Sequence, residues 1–364
     1  MTAEPVNVAD YERLAEGALP AGPLGYFAGG AGDERTLRDN VAAYARHQLL
    51  PRVLVDVSAV STATTVLGTP VSMPVLVGPT ALQRMAHPDG EPGMARAAAA
   101  AGTIMTLSTI ATSRPTEVAA SAPEAPRWFQ VYVLKDRGIT RALVDEAVEC
   151  GFTALALTVD APRAGRRERD LRTDFAVPEG IDMPAVTAAC GDTAGITPQG
   201  FFSLMDMSLT WRDLEQFVAD SPLPVLLKGV HSADDAHRAC ECGAAGVIVS
   251  NHGGRQLDTV PATIDLLPPV VEAVGGRIEV LVDGGVRRGT DVCVALALGA
   301  QAVMIGRPAL WGLTVGGEAG ARHVLELLRD ELELALTLLG CPTPAHVGPE
   351  HLASTPAMGV PRVG

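Results

Sequence analysis

The sequence predicts an α/β fold, a (β/α)8 barrel, and three observations carry that prediction. Apolar runs of strand length recur eight times along the 364 residues. Amphipathic or alanine-rich stretches separate them, and each run ends in polar or glycine-rich residues. The runs are Val71–Pro79, Gly102–Thr109, Trp128–Val133, Phe152–Asp160, Leu223–Val230, Ala245–His252, Ile278–Val286 and Ala300–Pro308. Near-continuous aliphatic and β-branched residues suit parallel strands buried on both faces. Between the runs, Glu91–Ala101, Thr140–Cys150, Ala233–Cys242 and Asp291–Leu298 carry helical spacing. A doubly wound sheet uses the same alternation, but eight evenly spaced repeats favour the barrel.

One domain, residues 1–364, accommodates all of this. Residues 1–70 read as an N-terminal helical cap and 71–345 as the barrel. The helix Arg322–Leu339 closes the pattern before a Pro-rich tail. More than sixty residues separate Asp160 from Leu223, a long insertion after the fourth run. Within it Phe175–Met207 is expected to form a lid or an oligomer contact, a structureless surface loop being the bland reading.

Composition excludes several classes. Hydrophobic residues make up 47% and aromatics 4%, so Ala, Val, Leu and Ile must fill the core, and the four tyrosines are each worth locating. With 42 acidic and 28 basic residues the net charge is −14, a field that repels nucleic-acid backbones. The apolar content argues equally against disorder. No CxxC spacing occurs among the six cysteines, and Cys240 and Cys242 diverge on a helical stretch, so reduced thiols are expected and no metal site. The acidic opening MTAEPVNVADYERLAEGALP does not read as a signal peptide, and no run approaches the ~18 apolar residues that span a membrane. The ending Pro361-Arg362-Val363-Gly364 is neither a peroxisomal address nor a lipidation box. Together these read as cytoplasmic.

Barrel active sites lie at the C-terminal strand ends. There the sequence places Pro79-Thr80-Ala81, Ser108, Gln130 and Tyr132, Thr158 and Asp160, Lys228, Ser250 and His252, Asp283, and Gly306-Arg307. Any one of these could cap a helix; the full ring exceeds what packing needs. Asp283-Gly284-Gly285-Val286-Arg287-Arg288-Gly289 and Gly306-Arg307 follow the last two runs, where this fold binds phosphate. Lys228 ends an apolar strand, either as a Schiff-base lysine or as a cation against an electron-rich cofactor ring. His252 follows AGVIVS directly, three residues before Arg255, while Arg166-Arg167 follows the fourth run. Guanidinium groups at a barrel mouth suit a planar carboxylate, and histidine is the natural base near neutral pH, with Asp160 placed to stabilise its charged form.

At these residues the chain resembles the FMN-dependent 2-hydroxy acid oxidases, the group that includes glycolate oxidase, lactate oxidase and mandelate dehydrogenase. The matching stretches begin with Tyr26-Phe27-Ala28-Gly29-Gly30 and Ala86-His87-Pro88-Asp89-Gly90. They continue through Gly165-Arg166-Arg167 and the specific run Ser250-Asn251-His252-Gly253-Gly254-Arg255-Gln256-Leu257-Asp258 to Ile305-Gly306-Arg307-Pro308. The resemblance implies FMN as cofactor. Its ring would rest on Pro79, Thr80, Ala81, Ser108, Gln130, Thr158, Lys228 and Ser250. Its phosphate would be held by Asp283, Gly284, Gly285, Val286, Arg287, Gly306 and Arg307. It further implies that Tyr26, Tyr132, Arg167, His252 and Arg255 surround a small 2-hydroxy acid, that O2 is the second substrate, and that the assembly is a homotetramer. His252, Asp160, Tyr132 and Lys228 would be the catalytic set. Two positions speak to specificity. Isoleucine stands at Ile110, where glycolate-type members commonly carry an aromatic, so a substrate bulkier than glycolate is expected. Ala81 stands where the mandelate dehydrogenase type carries glycine, which favours an oxidase. A dehydrogenase passing electrons to a quinone or protein, a flavin-dependent isomerase and a silent flavin-binding protein are the alternatives.

Overall fold

The computed structural model describes residues 4–191 and 198–353. Two short strands, β1 (Thr64–Val66) and β2 (Thr69–Val71), precede eight parallel ones. These are β3 (Val75–Val77), β4 (Met105–Leu107), β5 (Arg127–Val131), β6 (Ala154–Thr158), β7 (Val225–Val230), β8 (Gly246–Val249), β9 (Glu279–Asp283) and β10 (Ala302–Ile305). They close into a barrel in chain order, β10 pairing with β3. Each lies within or beside its expected run.

Two side-chain layers explain the continuous apolar patterning. One face of each strand packs outward against helices, among them Gly90–Ala101, Arg137–Glu149, Ala233–Glu241 and Gly289–Ala297. The other fills the barrel with Leu76, Ile104, Trp128, Leu226, Ile248, Leu281 and Met304, beside the small Ala154, Ala156 and Ala302. Alanines on β6 and β10 leave the volume that the Trp128 indole takes.

The N-terminal segment departs from the helical expectation. Helices Val8–Ala18, Ala21–Ala28 and Arg35–Ala42 do form, but residues 64–71 make an antiparallel hairpin that seals the barrel floor. Val66 and Val71 join the barrel interior, so Val71, the start of the first expected run, belongs to this plug. Its turn uses Leu67 and Gly68, both at positive φ (46° and 72°). A Leu-Gly pair is a weak turn signal beside Asn-Gly, which is why the hairpin escaped a reading of local pattern. The final helix also starts earlier than expected, at Arg307, and runs to Leu339 with a break at Gly316 and Gly317.

The insertion after β6 carries helices Glu168–Arg172, Pro184–Cys190 and Pro198–Leu204. Backbone hydrogen bonds from Lys135 to Leu204 (2.8 Å) and from Asp206 to Val133 (3.0 Å) tie its far end to the segment after β5. Residues 192–197 of the expected lid, and the tail with Pro361–Gly364, lie outside the described residues. Among the described residues no helix is long and apolar enough to cross a membrane. The six cysteines are free.

Candidate active site

The C-terminal ends of the barrel strands open onto one cavity of about 1080 Å³, counted to its open mouth. In-register parallel pairing puts the strand-end residues at one level; Thr158 and Lys228, for example, are Cα partners. Every residue nominated from the sequence lines this cavity except Asp160 and Ser250, which stand directly behind His252 and Lys228.

A chain of hydrogen bonds crosses the cavity floor. Ser108 Oγ donates to Gln130 Oε1 (3.2 Å), and Gln130 Nε2 donates to Thr158 Oγ1 (3.0 Å). Lys228 Nζ donates to Ser250 Oγ (2.7 Å) and pairs with Asp283 Oδ2 (2.8 Å). Burial pulls the lysine pKa down, but Asp283 and then Asp160 outweigh it, holding the ammonium above its ordinary value. The ion pair with Asp283 favours the second of the two sequence readings, a cation against a cofactor ring. A fixed cation remains, facing the cavity.

Beside it the loop after β9 supplies close backbone. Gly285 has φ 87°, and a Cβ there would sit 1.8 Å from the Asn40 carbonyl oxygen, so only glycine fits. Arg287 and Arg307 flank this loop, both half-buried. Burial lowers the Arg287 pKa; burial, then Arg255 and Arg287, pull Arg307 down to about 9. Arg307 spends three N–H groups on the carbonyls of Phe27, Gly253 and Gly29, each at 2.9 Å. It therefore clamps the N-terminal segment to the His252 loop and keeps two N–H groups for an anion. Mutually repelling half-buried cations, glycine backbone and the unpartnered buried Asp283 Oδ1 fit a cofactor with a phosphate and a hydrogen-bonding ring.

The opposite wall is built for an acid. His252 has φ 58°, in the left-handed region, which turns its ring back across the strand ends. Its Nδ1 lies 3.1 Å from Asp160 Oδ1, leaving Nε2 for the cavity. The Asp160 side chain is 3% exposed. Burial would raise its pKa, yet the His252 charge and hydrogen bond, with Lys228 and His231, hold it below the usual carboxylate range. Arg255 and Arg167 lie 5.0 and 5.4 Å from the Tyr26 ring centre. Burial, then Arg167, pulls Arg255 down to about 10. Arg255 donates to the carbonyls of Tyr26 and Gly29, and Arg167 Nε lies 3.2 Å from Asp170 Oδ2 in an ion pair without hydrogen-bond geometry. Burial, then Asp160, pushes the Tyr132 phenol up. A carboxylate arriving here would relieve two crowded guanidinium groups.

The sequence reading missed the aromatic contribution of the insertion. Phe202 lines the cavity, as Ile110 does, and Phe175 stacks on Tyr26 with ring centres 5.0 Å apart. A signal existed, because three of the seven phenylalanines fall within Phe175–Met207 of an aromatic-poor chain. The reciprocal Asn40–Asn251 amide pair, both bonds 2.8 Å, also escaped notice; it ties the helix Arg35–Ala42 to the His252 loop.

Residues 15–354 match the FMN-dependent dehydrogenase family. The chain belongs to this family. It is 50% identical over 346 residues to an L-lactate oxidase of Nostoc sp., covering 93% of this chain and 95% of that protein. Identity to glycolate oxidase 3 of Arabidopsis thaliana is also 50%, over 354 residues and 96% of each chain. In structure it is similar to a mandelate oxidase with benzoyl-formic acid, TM-score 0.87 and 40% identity, covering 97% of this chain and 99% of that one. The family's FMN-dependent oxidation of 2-hydroxy acids is thus the chemistry of this enzyme, and the cavity described above is the candidate place for it.

Proposed function

We propose that the enzyme oxidises an (S)-2-hydroxy acid larger than glycolate to the 2-oxo acid and passes the electrons to O2, yielding hydrogen peroxide. The carrying observation is the His252–Asp160 pair on the same cavity wall as Arg255 and Arg167, two cations positioned for one carboxylate. Arg255 and Arg167 bind that carboxylate, and the Tyr26 and Tyr132 hydroxyls bond it and the 2-hydroxyl. The alcohol loses two electrons and two protons. His252 Nε2 takes one proton, and the buried Asp160 anion stabilises the imidazolium. Bound FMN would accept both electrons and the second proton, and with the proton held by His252 these would leave on O2 as hydrogen peroxide. Pro79, Thr80, Ala81, Ser108, Gln130, Thr158, Lys228 and Ser250 would hold its ring, while Asp283 to Arg287 with Gly306 and Arg307 would hold its phosphate. The Lys228 cation would stabilise negative charge developing on the reduced ring.

Lactate, glycolate and mandelate oxidases are all similar to this chain, and Ile110 with Phe202 supports the larger acids among their named substrates. Ala81 in the cavity wall supports oxygen over a quinone or protein acceptor. Free cysteines support a reducing, cytoplasmic setting, and a homotetramer is the assembly this reading carries. An oxygen-electrode screen of glycolate, L-lactate and (S)-mandelate tests the proposal. Peroxide equal to the 2-oxo acid formed, with no added acceptor, is expected. Preference for glycolate would overturn the substrate assignment, and turnover only with an added quinone or dye would overturn the acceptor.

A further inference from the structure

Just outside the cavity lies a second groove whose wall includes Lys135, Arg163, Arg166, Arg167, Phe202 and Met207. It shares Arg167 and Phe202 with the cavity itself, so these two side chains separate the outer groove from the inner site. Its one acid, Asp170, is already paired with Arg167. Among the described residues Lys135, Arg163 and Arg166 pair with no carboxylate, whereas the adjacent Arg169 and Arg172 are paired with Glu34 and Glu168.

The backbone that carries the two arginines is tied down, while their side chains are exposed. Gln256 Nε2 donates to the Arg163 carbonyl (3.0 Å), Gly32 N donates to that of Arg166 (3.0 Å), and Gly165 N donates to Gln256 Oε1 (3.0 Å). A Cβ at Gly165 would meet the Arg255 carbonyl at 2.3 Å, so this loop rides on the backbone of the His252 segment. Lys135 Nζ is held by the Ser203 carbonyl at 2.7 Å. Three cationic side chains thus line the mouth of the acid-binding wall, two of them on an anchored loop, on a chain of net charge −14 whose overall field repels anions.

We propose that this groove is an anion-collecting vestibule: Lys135, Arg163 and Arg166 raise the local concentration of small carboxylates at Arg167, against the field of the whole protein. It rests on reading the inner cavity as the 2-hydroxy acid site. The vestibule acts through its potential, on the approaching and on the bound anion alike, and makes no contact with reacting atoms, so it changes binding and leaves the chemical step alone.

The test is the double variant Arg163→Glu/Arg166→Glu of the FMN-loaded enzyme, with Arg163→Gln/Arg166→Gln beside it. Oxalate affinity is read from the visible flavin spectrum, without turnover, at ~10 mM and ~0.5 M ionic strength; kcat/KM is measured for L-lactate and for neutral lactamide. Reversing two exposed charges within a Debye length should weaken oxalate ~5–20-fold at low salt and less than ~2-fold at high salt. L-lactate kcat/KM should follow, with kcat unchanged, lactamide indifferent and the glutamine variant intermediate. A loss that persists at high salt, an equal loss with lactamide, or wild-type salt dependence each overturns the vestibule. Absence of lactate turnover overturns the activity reading alone, because oxalate affinity is measured independently of it.

Discussion

The two ends of this barrel are built from the same strands and answer opposite demands. At the floor, the hairpin Thr64–Val71 lays Val66 and Val71 against Leu76, Trp128, Leu226 and Ile248, all apolar and closely packed. The one acid there, Glu279, accepts from Leu67 N at 2.9 and 3.0 Å, and burial raises its pKa. At the mouth, residues at or just past the ends of the same strands are charged and at least half-buried. Lys228, Asp160, Asp283, Arg255, Arg287 and Arg307 crowd one cavity rim, with Asp160 Oδ2 and Asp283 Oδ1 lacking any partner. A stable fold would not choose that end for itself. Burial lowers the pKa of Arg255, Arg287 and Arg307, and neighbouring guanidinium groups lower Arg255 and Arg307 further, a cost that bound anions would offset. Floor and mouth should therefore separate under mutation, the floor changing stability and the mouth changing turnover.

The sharpest separation should come from His252→Gln. Losing a positioned base costs about 10²–10⁴-fold in kcat, while the exposed edge of this residue leaves folding nearly intact. Steady-state oxygen uptake beside a thermal melt checks both halves; undiminished turnover would remove His252 from the mechanism. Trp128→Ala is the counterpart at the floor. Emptying a fully buried indole site should cost about 3–5 kcal/mol of stability, with kcat per folded molecule unchanged. Denaturant unfolding gives the first number, and activity normalised to bound flavin gives the second.

Asp160→Asn crosses the boundary, because this carboxylate both orients His252 and contributes to stability. A loss of ~10²-fold in kcat is expected from the missing counter-charge. Its pKa is depressed in the folded state, so its stabilising contribution is fully present above the unfolded value near ~3.9 and is lost as pH falls through the folded one. The asparagine variant should accordingly be less stable than wild type at pH 7, and the difference should shrink below about pH 4. A constant difference across that window would show that Asp160 acts through packing alone.

How much of this was legible follows from what each residue answers to. The eight strands were readable because burial on both faces forces continuous aliphatic runs such as Ala154–Thr158 and Val225–Val230. The rim was readable because polar groups at strand ends have no packing reason to be there. The hairpin was not, since its role is set by the barrel floor it plugs, and Leu67-Gly68 announces little by itself. Arg307 was placed at the phosphate from its position, but three of its N–H groups hold carbonyls of Phe27, Gly29 and Gly253. That duty depends on an N-terminal segment nearly 280 residues away in sequence. Phe202 was missed for the same reason: it reaches the cavity only because the insertion is tied back to Val133 and Lys135.

Within the mouth itself, the smallest expected effect separates chemistry from selectivity. Ile110 is 4% exposed and lines the same cavity as Phe202. Ile110→Phe should fill space there without touching the His252–Asp160 pair. A change of one or two methylene equivalents in an apolar pocket is worth about 1–3 kcal/mol in discrimination. The kcat/KM ratio of glycolate to (S)-mandelate should therefore rise by roughly 10-fold, with L-lactate between them. Phe202→Ala should move the ratio the other way, since it opens the same wall from the insertion. If both variants leave the ratio unchanged, side-chain size is read elsewhere and Ile110 is no more than core. If Ile110→Phe lowers all three acids equally, the new ring has disturbed the cofactor end, and the wall it shares with Phe202 is not the selective one.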